Sequence, residues 1–166
     1  LYTGGGEGIM SIAVGKRIRF FRWLRGMTQK ELGKAVGFSS RTASVRIAQY
    51  EIGARTPKPE LLRHIANALN VSEDALTTPD LENAACLMHT LFVLEDAYLF
   101  SVLSLAGRIE LSSNMEDASI PLTVRVMLRT WAELREKYMC GEISKEEYDQ
   151  WRYNFPNIPK DEYEII

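Results

Sequence analysis

Residues 28–53 read TQKELGKAVGFSSRTASVRIAQYEIG, and their spacing decides the architecture of the first half of the chain. Thr28 followed three residues later by Glu31 is a capping box, in which each side chain accepts from the other residue's free backbone N–H. It opens a short helix whose buried stripe is Leu32 and Val36 and which Gly37 ends. A polar segment, Phe38 to Thr42, separates it from a helix running to about Ile52. In that helix Ala43, Ile47 and Tyr50 recur at helical spacing and face inward. Gly53 suits the left-handed position that follows a helix.

Working outward, Val14, Ile18, Phe21 and Leu24 give one apolar face to a helix from about Ile12 to Arg25. Lys16, Arg17, Arg19 and Arg22 decorate its other sides, and Gly26 stops it. Downstream, Pro57 and Pro59 lead into a fourth helix with Leu61, Leu62, Ile65, Ala68 and Leu69 in period. Ser72 caps a short fifth helix ending near Thr77. Pro79 marks a boundary, so the expected organisation is a leader at 1–9 (LYTGGGEGI), a head at 10–78 and a second domain at 79–166.

The runs RIRFFRWLRGMTQKELGKAVGF (17–38) and RIAQYEIGARTPKPELLRHIANALNVSEDAL (46–76) resemble the helix-turn-helix domain of lambda-, Cro- and xenobiotic-response-type repressors. The resemblance implies a five-helix repressor-type head; the residues beyond it read as a small helical domain with a β-hairpin signal, so the expected fold class is mainly α. The resemblance also implies a sequence-specific transcriptional regulator, a repressor on a two-fold symmetric operator, whose third helix enters the major groove. Double-stranded DNA is then a partner and a homodimer the assembly; the back half, outside the resemblance, reads either as a dimerisation module or as the site of a protein effector. On this reading Gln29 and Lys30, at the start of the second helix, meet the sugar-phosphate backbone, and Arg55 and Lys58 after the third helix do the same. Ser44, Val45 and Gln49 align with groove-facing positions. There Gln49 can bond adenine through its amide, and Val45 can touch a thymine methyl. Arg41 and Arg46 read guanine or hold phosphate. Arg22 and Glu51 match positions where relatives hold an ion pair that poses the third helix.

One feature departs from the family pattern. About a dozen residues ordinarily run from the glycine ending the second helix to the glycine after the third, whereas Gly37 to Gly53 spans seventeen positions. About four extra residues therefore lie around Phe38 to Ala43. Either the turn has become a loop, or the third helix has gained an N-terminal turn capped by Ser39 or Ser40. The second alternative would make Arg41, Thr42 and Ser44 weigh more in specificity than Gln49.

Charge segregates along the chain. Met10 to Asn70 holds twelve Lys and Arg against three acids, a balance of +9, and Val71 onward balances at −10. Such asymmetry points to a polyanion-binding front half and a back half with other work. In that back half, Leu81 to about Asp96 reads as an amphipathic helix. YLFSVLSL (98–105) reads as a strand, turned at Ala106-Gly107 into a second strand, Arg108 to Ser112. Pro121 opens a long helix ended by Gly141, and Ser144 with Glu147 caps a last one that stops before Pro156. Trp131, Tyr138, Tyr148, Trp151, Tyr153 and Phe155 crowd these two helices, as a dimerisation module or a small core requires.

Several chemistries find no support. A self-cleaving peptidase half would use Ala106-Gly107 as scissile bond, but too few residues follow it and most read as helix. There is no glycine-rich phosphate loop, no HExxH and no Cys–His cluster, so no enzyme, metal or cofactor is expected. His64 and His89 are lone histidines, and Cys86 and Cys140 lack CxxC spacing and read as reduced thiols. With no apolar run long enough to span a bilayer and no signal peptide, the expectation is a cytoplasmic protein with no membrane contact. The alternative reading is an antitoxin or partner-regulated interaction module whose DNA binding serves autoregulation.

Overall fold

The computed structural model describes residues 6–114 and 116–156, with side chains from Ala13 onward. Residues 1–5 of the expected leader lie outside that range. Among the described residues the order is α1 (Gly6–Leu24), α2 (Gln29–Ala35), α3 (Ala43–Glu51), α4 (Pro59–Leu69), α5 (Glu73–Leu76), α6 (Ala84–Tyr98), β1 (Ser101–Leu105), β2 (Arg108–Ser112), α7 (Leu122–Met139) and α8 (Lys145–Asn154). The first helix thus starts earlier than its apolar period suggests, and residues 6–9 belong to it rather than to a leader. Leu24, expected on the buried face, is 43% exposed, because the helix ends there and the chain turns through Arg25-Gly26.

The chain divides into two compact units. One joins the residues up to Asp80 with those from Asp149 on, and the other is Leu81–Tyr148. The division falls after Asp80 and returns the end of the chain to the head, because the last turns of α8 find their apolar partners there. Tyr153 meets Phe21 edge-on at 4.9 Å, its carbonyl accepts from the Ser72 N–H at 2.9 Å, and the Ser72 hydroxyl donates to the Phe155 carbonyl at 2.9 Å.

The head's core is built from one stripe per helix: Val14, Ile18 and Phe21 of α1, Leu32 of α2 with Val36 after it, Ile47 and Tyr50 of α3, Ile65, Ala66 and Leu69 of α4, then Val71 and Leu76. Two glycines let the backbones close on α3. A Cβ on Gly33 would lie 2.7 Å from the Ala43 Cβ, and one on Gly15 would run into the carbonyl of Tyr50. No side chain larger than hydrogen fits at either crossing without movement, and α3 is held accordingly.

The second unit is more open. Its buried side chains are few, Ile120, Thr130 and Tyr148. Trp131 donates its indole N–H to the Tyr148 hydroxyl at 2.7 Å, and the Tyr138 and Tyr148 rings stack at 5.3 Å. β1 and β2 form an antiparallel hairpin around Ala106-Gly107, both at positive φ (+48° and +80°), which is the type I′ geometry that matches strand twist. Cys86 and Cys140 are both free. None of the described helices is long and apolar enough to cross a membrane.

Candidate nucleic-acid interface

The face around α3 begins with the capping box. The Thr28 hydroxyl accepts from the Glu31 N–H at 3.1 Å, while the Glu31 carboxylate accepts from the Thr28 N–H at 2.7 Å. The bond from the Thr28 backbone, and secondly that from its hydroxyl, holds the Glu31 carboxyl below the usual carboxylate range. This fixes where α2 starts, and so fixes Gln29 at its first turn.

Gln29 joins a buried network. Glu51, at the end of α3 with 3% side-chain exposure, accepts from Arg22 Nε at 2.5 Å and Arg22 Nη2 at 3.0 Å. A third donor of the same guanidinium reaches the Met27 carbonyl at 2.8 Å. Glu51 also accepts from Gln29 Nε2 at 2.9 Å, and the Ser44 hydroxyl donates to Gln29 Oε1 at 3.4 Å. Arg22, Glu51, Gln29 and Ser44 thus link α1, α2 and both ends of α3. From its place at the start of α2, Gln29 is expected to meet a phosphate. Here its amide first serves Glu51, and one N–H of that NH2 group is left over for another acceptor.

The lengthened connection is neither an open loop nor an added turn of continuous helix. The Ser39 carbonyl accepts from the N–H of Thr42 at 3.0 Å and of Ala43 at 2.9 Å, and the Ser39 and Thr42 hydroxyls lie 3.0 Å apart. The four residues 39–42 form one hydrogen-bonded turn, and the helix proper starts at Ala43 after Thr42 at φ −110°. Serine and threonine side chains that bond locally compete with helix continuation, which is why the extra turn stays outside α3. Phe38 anchors its other end against the core, with the Arg46 guanidinium 4.9 Å above its ring.

On α3 itself, Ala43, Ile47, Tyr50 and Glu51 are buried while Ser44, Val45 and Arg46 are exposed, Val45 at 60%. Gln49 is half-buried. Ser40, Arg41 and Thr42 on the preceding turn are exposed, as are Lys30 on α2 and Arg55 and Lys58 ahead of α4.

The structure sorts the head's cations in a way composition does not. Lys16 pairs with Asp80, Arg17 donates to the Ala75 carbonyl, Arg25 caps the end of α4 through the Leu69 carbonyl at 2.8 Å, and Arg63 pairs with Glu73. Arg19 stacks on Trp23 at 4.3 Å. Lys30, Lys34, Arg41, Arg46, Arg55 and Lys58, on α2, α3 and the segments flanking α3, are exposed. Of the acids on the same stretch, Glu31 is held in its capping box and Glu51 is buried. Among the described residues no group of His, Cys, Asp and Glu could hold a metal ion.

A helix-turn-helix family model matches residues 18–76, which takes in the end of α1 and the whole of α2 to α5. An HTH-type transcriptional regulator of Bacillus subtilis, YazB, is 39% identical over 66 residues, covering 40% of this chain and 90% of that protein. No solved structure matches. The match runs through nearly the whole of the relative, and residues 18–76 of the family match hold the capping box and the exposed face of α3. The chain belongs to the helix-turn-helix family of DNA-binding transcriptional regulators.

Proposed function

We propose that the protein is a repressor that binds a two-fold symmetric operator, laying α3 of each of two heads in successive major grooves. The observation that carries this reading is the division of α3 into a rooted face and a free one. Ala43, Ile47 and Tyr50 hold it, while Ser44, Val45 and Arg46 project, flanked by exposed cations. Val45 offers a methyl surface to thymine, Gln49 an amide to adenine, and Arg46 a fork for guanine or phosphate. Lys30, Arg55 and Lys58, with the free N–H of Gln29, hold the backbone. Arg41, Ser40 and Thr42, exposed on the turn 39–42, extend the contact ahead of α3. Two such heads address half-sites roughly 34 Å apart.

Exposed Leu87, Met88, Phe92 and Val93 on α6 support a second reading for the back half, a contact with an effector protein. In that case DNA binding serves autoregulation.

Selection from a random DNA pool tests the main reading. The expected result is an inverted repeat with half-sites one helical turn apart. Recovery of an asymmetric site, or of no shared sequence, would sink it.

A further inference from the structure

All ten residues of β1 and β2 are exposed, and five are large and apolar: Val102, Leu103, Leu105, Ile109 and Leu111. Val102 stands opposite Leu111 and Ser104 opposite Ile109 on one face, and the pairs Ser101–Ser112, Leu103–Glu110 and Leu105–Arg108 share the other. In a two-residue hairpin the closing pair, Leu105 and Arg108, exchanges both backbone hydrogen bonds. Alternation then turns the N–H and C=O groups of Ser101, Leu103 and Leu105 toward β2, and those of Val102 and Ser104 outward. Among the described residues the sheet has these two strands alone, so the outer edge of β1 is unpaired. β1 carries no charge and no proline, the usual protections of a free edge.

We propose that β1 pairs antiparallel with β1 of a second copy of this chain, about a two-fold axis at Leu103, to give a four-stranded sheet ordered β2–β1–β1–β2. The strand is self-complementary in this register. Ser101 meets Leu105, Val102 meets Ser104, Leu103 meets itself, and every residue of β1 is used. The outward-facing Val102 and Ser104 supply four backbone hydrogen bonds. Leu103 forms the non-hydrogen-bonded pair, with Cα atoms about 4.5 Å apart.

Charge selects this edge. The second unit, 81–148, holds six basic and eleven acidic residues, so two copies repel over most of their surface, but nothing on β1 contributes. The corresponding register on β2 would set Glu110 against Glu110, like charges directly opposite. A five-residue edge covers less than the roughly 800 Å² per partner of a stable interface, so the dimer is weak and reversible. The inference rests on the reading above for its purpose, since the two-fold axis is what a two-fold operator requires.

The test uses the full chain with Cys86→Ser and Cys140→Ser, oxidised mildly in the absence of DNA. Leu103→Cys should form a disulfide-linked dimer, because a pair at about 4.5 Å is within bridging range. Val102→Cys and Ser104→Cys should not do so singly, but should when the two proteins are mixed. In the chain with its native cysteines, Ser104→Pro removes an outward N–H. It should raise the dimer dissociation constant at least tenfold by sedimentation, with an unchanged helical spectrum. A folded Leu103→Cys protein that cross-links no better than Val102→Cys would overturn the proposal. So would equal cross-linking at all three positions, or a native chain that sediments as a monomer at every concentration reached. DNA binding is read separately: the Ser104→Pro protein should still bind a single half-site as the native head does. Loss of half-site binding in both would count against the DNA reading and not against the sheet.

Discussion

At the residue scale, Glu51 is the position on which the pose of α3 depends. It is a buried carboxylate that accepts from two donors of Arg22 and one of Gln29. Glu51→Ala leaves a buried guanidinium with one carbonyl partner and should cost about 3–5 kcal/mol in a urea titration. Replacing both partners, Arg22→Met with Glu51→Leu, should recover most of that stability while leaving operator affinity lowered, because Gln29 and the end of α3 lose their tie. Full recovery of both quantities would mean that the network stabilises without positioning. Arg41 is the sharper test of specificity. If it reads a guanine, Arg41→Ala should cost about 1–3 kcal/mol at one base pair, and Gln49→Ala should cost less. If it holds phosphate, binding should weaken alike on all sequences and the salt slope should fall by about one unit. Unchanged binding in both assays would leave residues 39–42 a solvent-facing turn. Residue roles were only partly legible in the sequence. The amide of Gln29 has its partner on Glu51, and that contact exists only once α2 and α3 have packed. No spacing rule encodes it.

At the element scale, the parts closed by local chemistry were the legible ones. Thr28 with Glu31, Ser144 with Glu147, and the Ala106-Gly107 turn each fix an element within a few residues, and each stands where its sequence signal lies. The start of α1 at Gly6 and the compact turn at 39–42 were not legible. The first lacks an apolar period, and the second depends on Phe38 reaching the core. The α2–α3 crossing is the element contact most open to test. Gly33→Ala places a methyl 2.7 Å from the Ala43 Cβ, and overpacking of this kind typically costs about 1–3 kcal/mol. The variant should melt earlier and bind DNA less tightly, since the two helices must part. A melting temperature equal to that of the native chain would show that α2 shifts freely. The capping box adds a pH dependence of known sign. Glu31 has a folded-state pKa below its unfolded value, so its stabilisation of α2 is present above the ordinary carboxylate pKa. It is lost as pH falls through that value and on through the lower folded one. Glu31→Gln should flatten that acid limb in a pH series of thermal melts, and an identical limb would remove Glu31 as its source.

At the scale of the whole molecule, the charge asymmetry could be read from composition, and the return of the chain end to the head could not. Phe20, Phe21 and Tyr153 form one edge-to-face cluster across more than 130 positions of sequence, with the Arg17 guanidinium 4.9 and 4.6 Å above the two phenylalanine rings. A cut at Pro79 would therefore do more than detach the second unit: it would uncover Phe21 and leave the Ser72 N–H without the Tyr153 carbonyl. Tyr153→Ala isolates this effect without removing the second unit. It deletes two aromatic contacts, each worth about 0.5–1.5 kcal/mol, together with the ring's own burial. The expected loss is about 2–3 kcal/mol, read as faster amide exchange along α1 and α5. Tyr153→Phe keeps the ring and gives up the bond from Arg152 to the hydroxyl at 2.7 Å and the hydroxyl's electrostatic interaction with Arg17, so it should stay within about 1 kcal/mol of the native chain. Operator binding at room temperature should be unaffected in both variants. α3 is held by Ile47, Tyr50 and Glu51 and by its close approach to Gly15 and Gly33, and the ring of Tyr153 is not part of that hold. Unchanged exchange on α1 and α5 in the alanine variant would show that the end of the chain does not stabilise the head, and residues 10–78 would then be expected to fold alone at full stability.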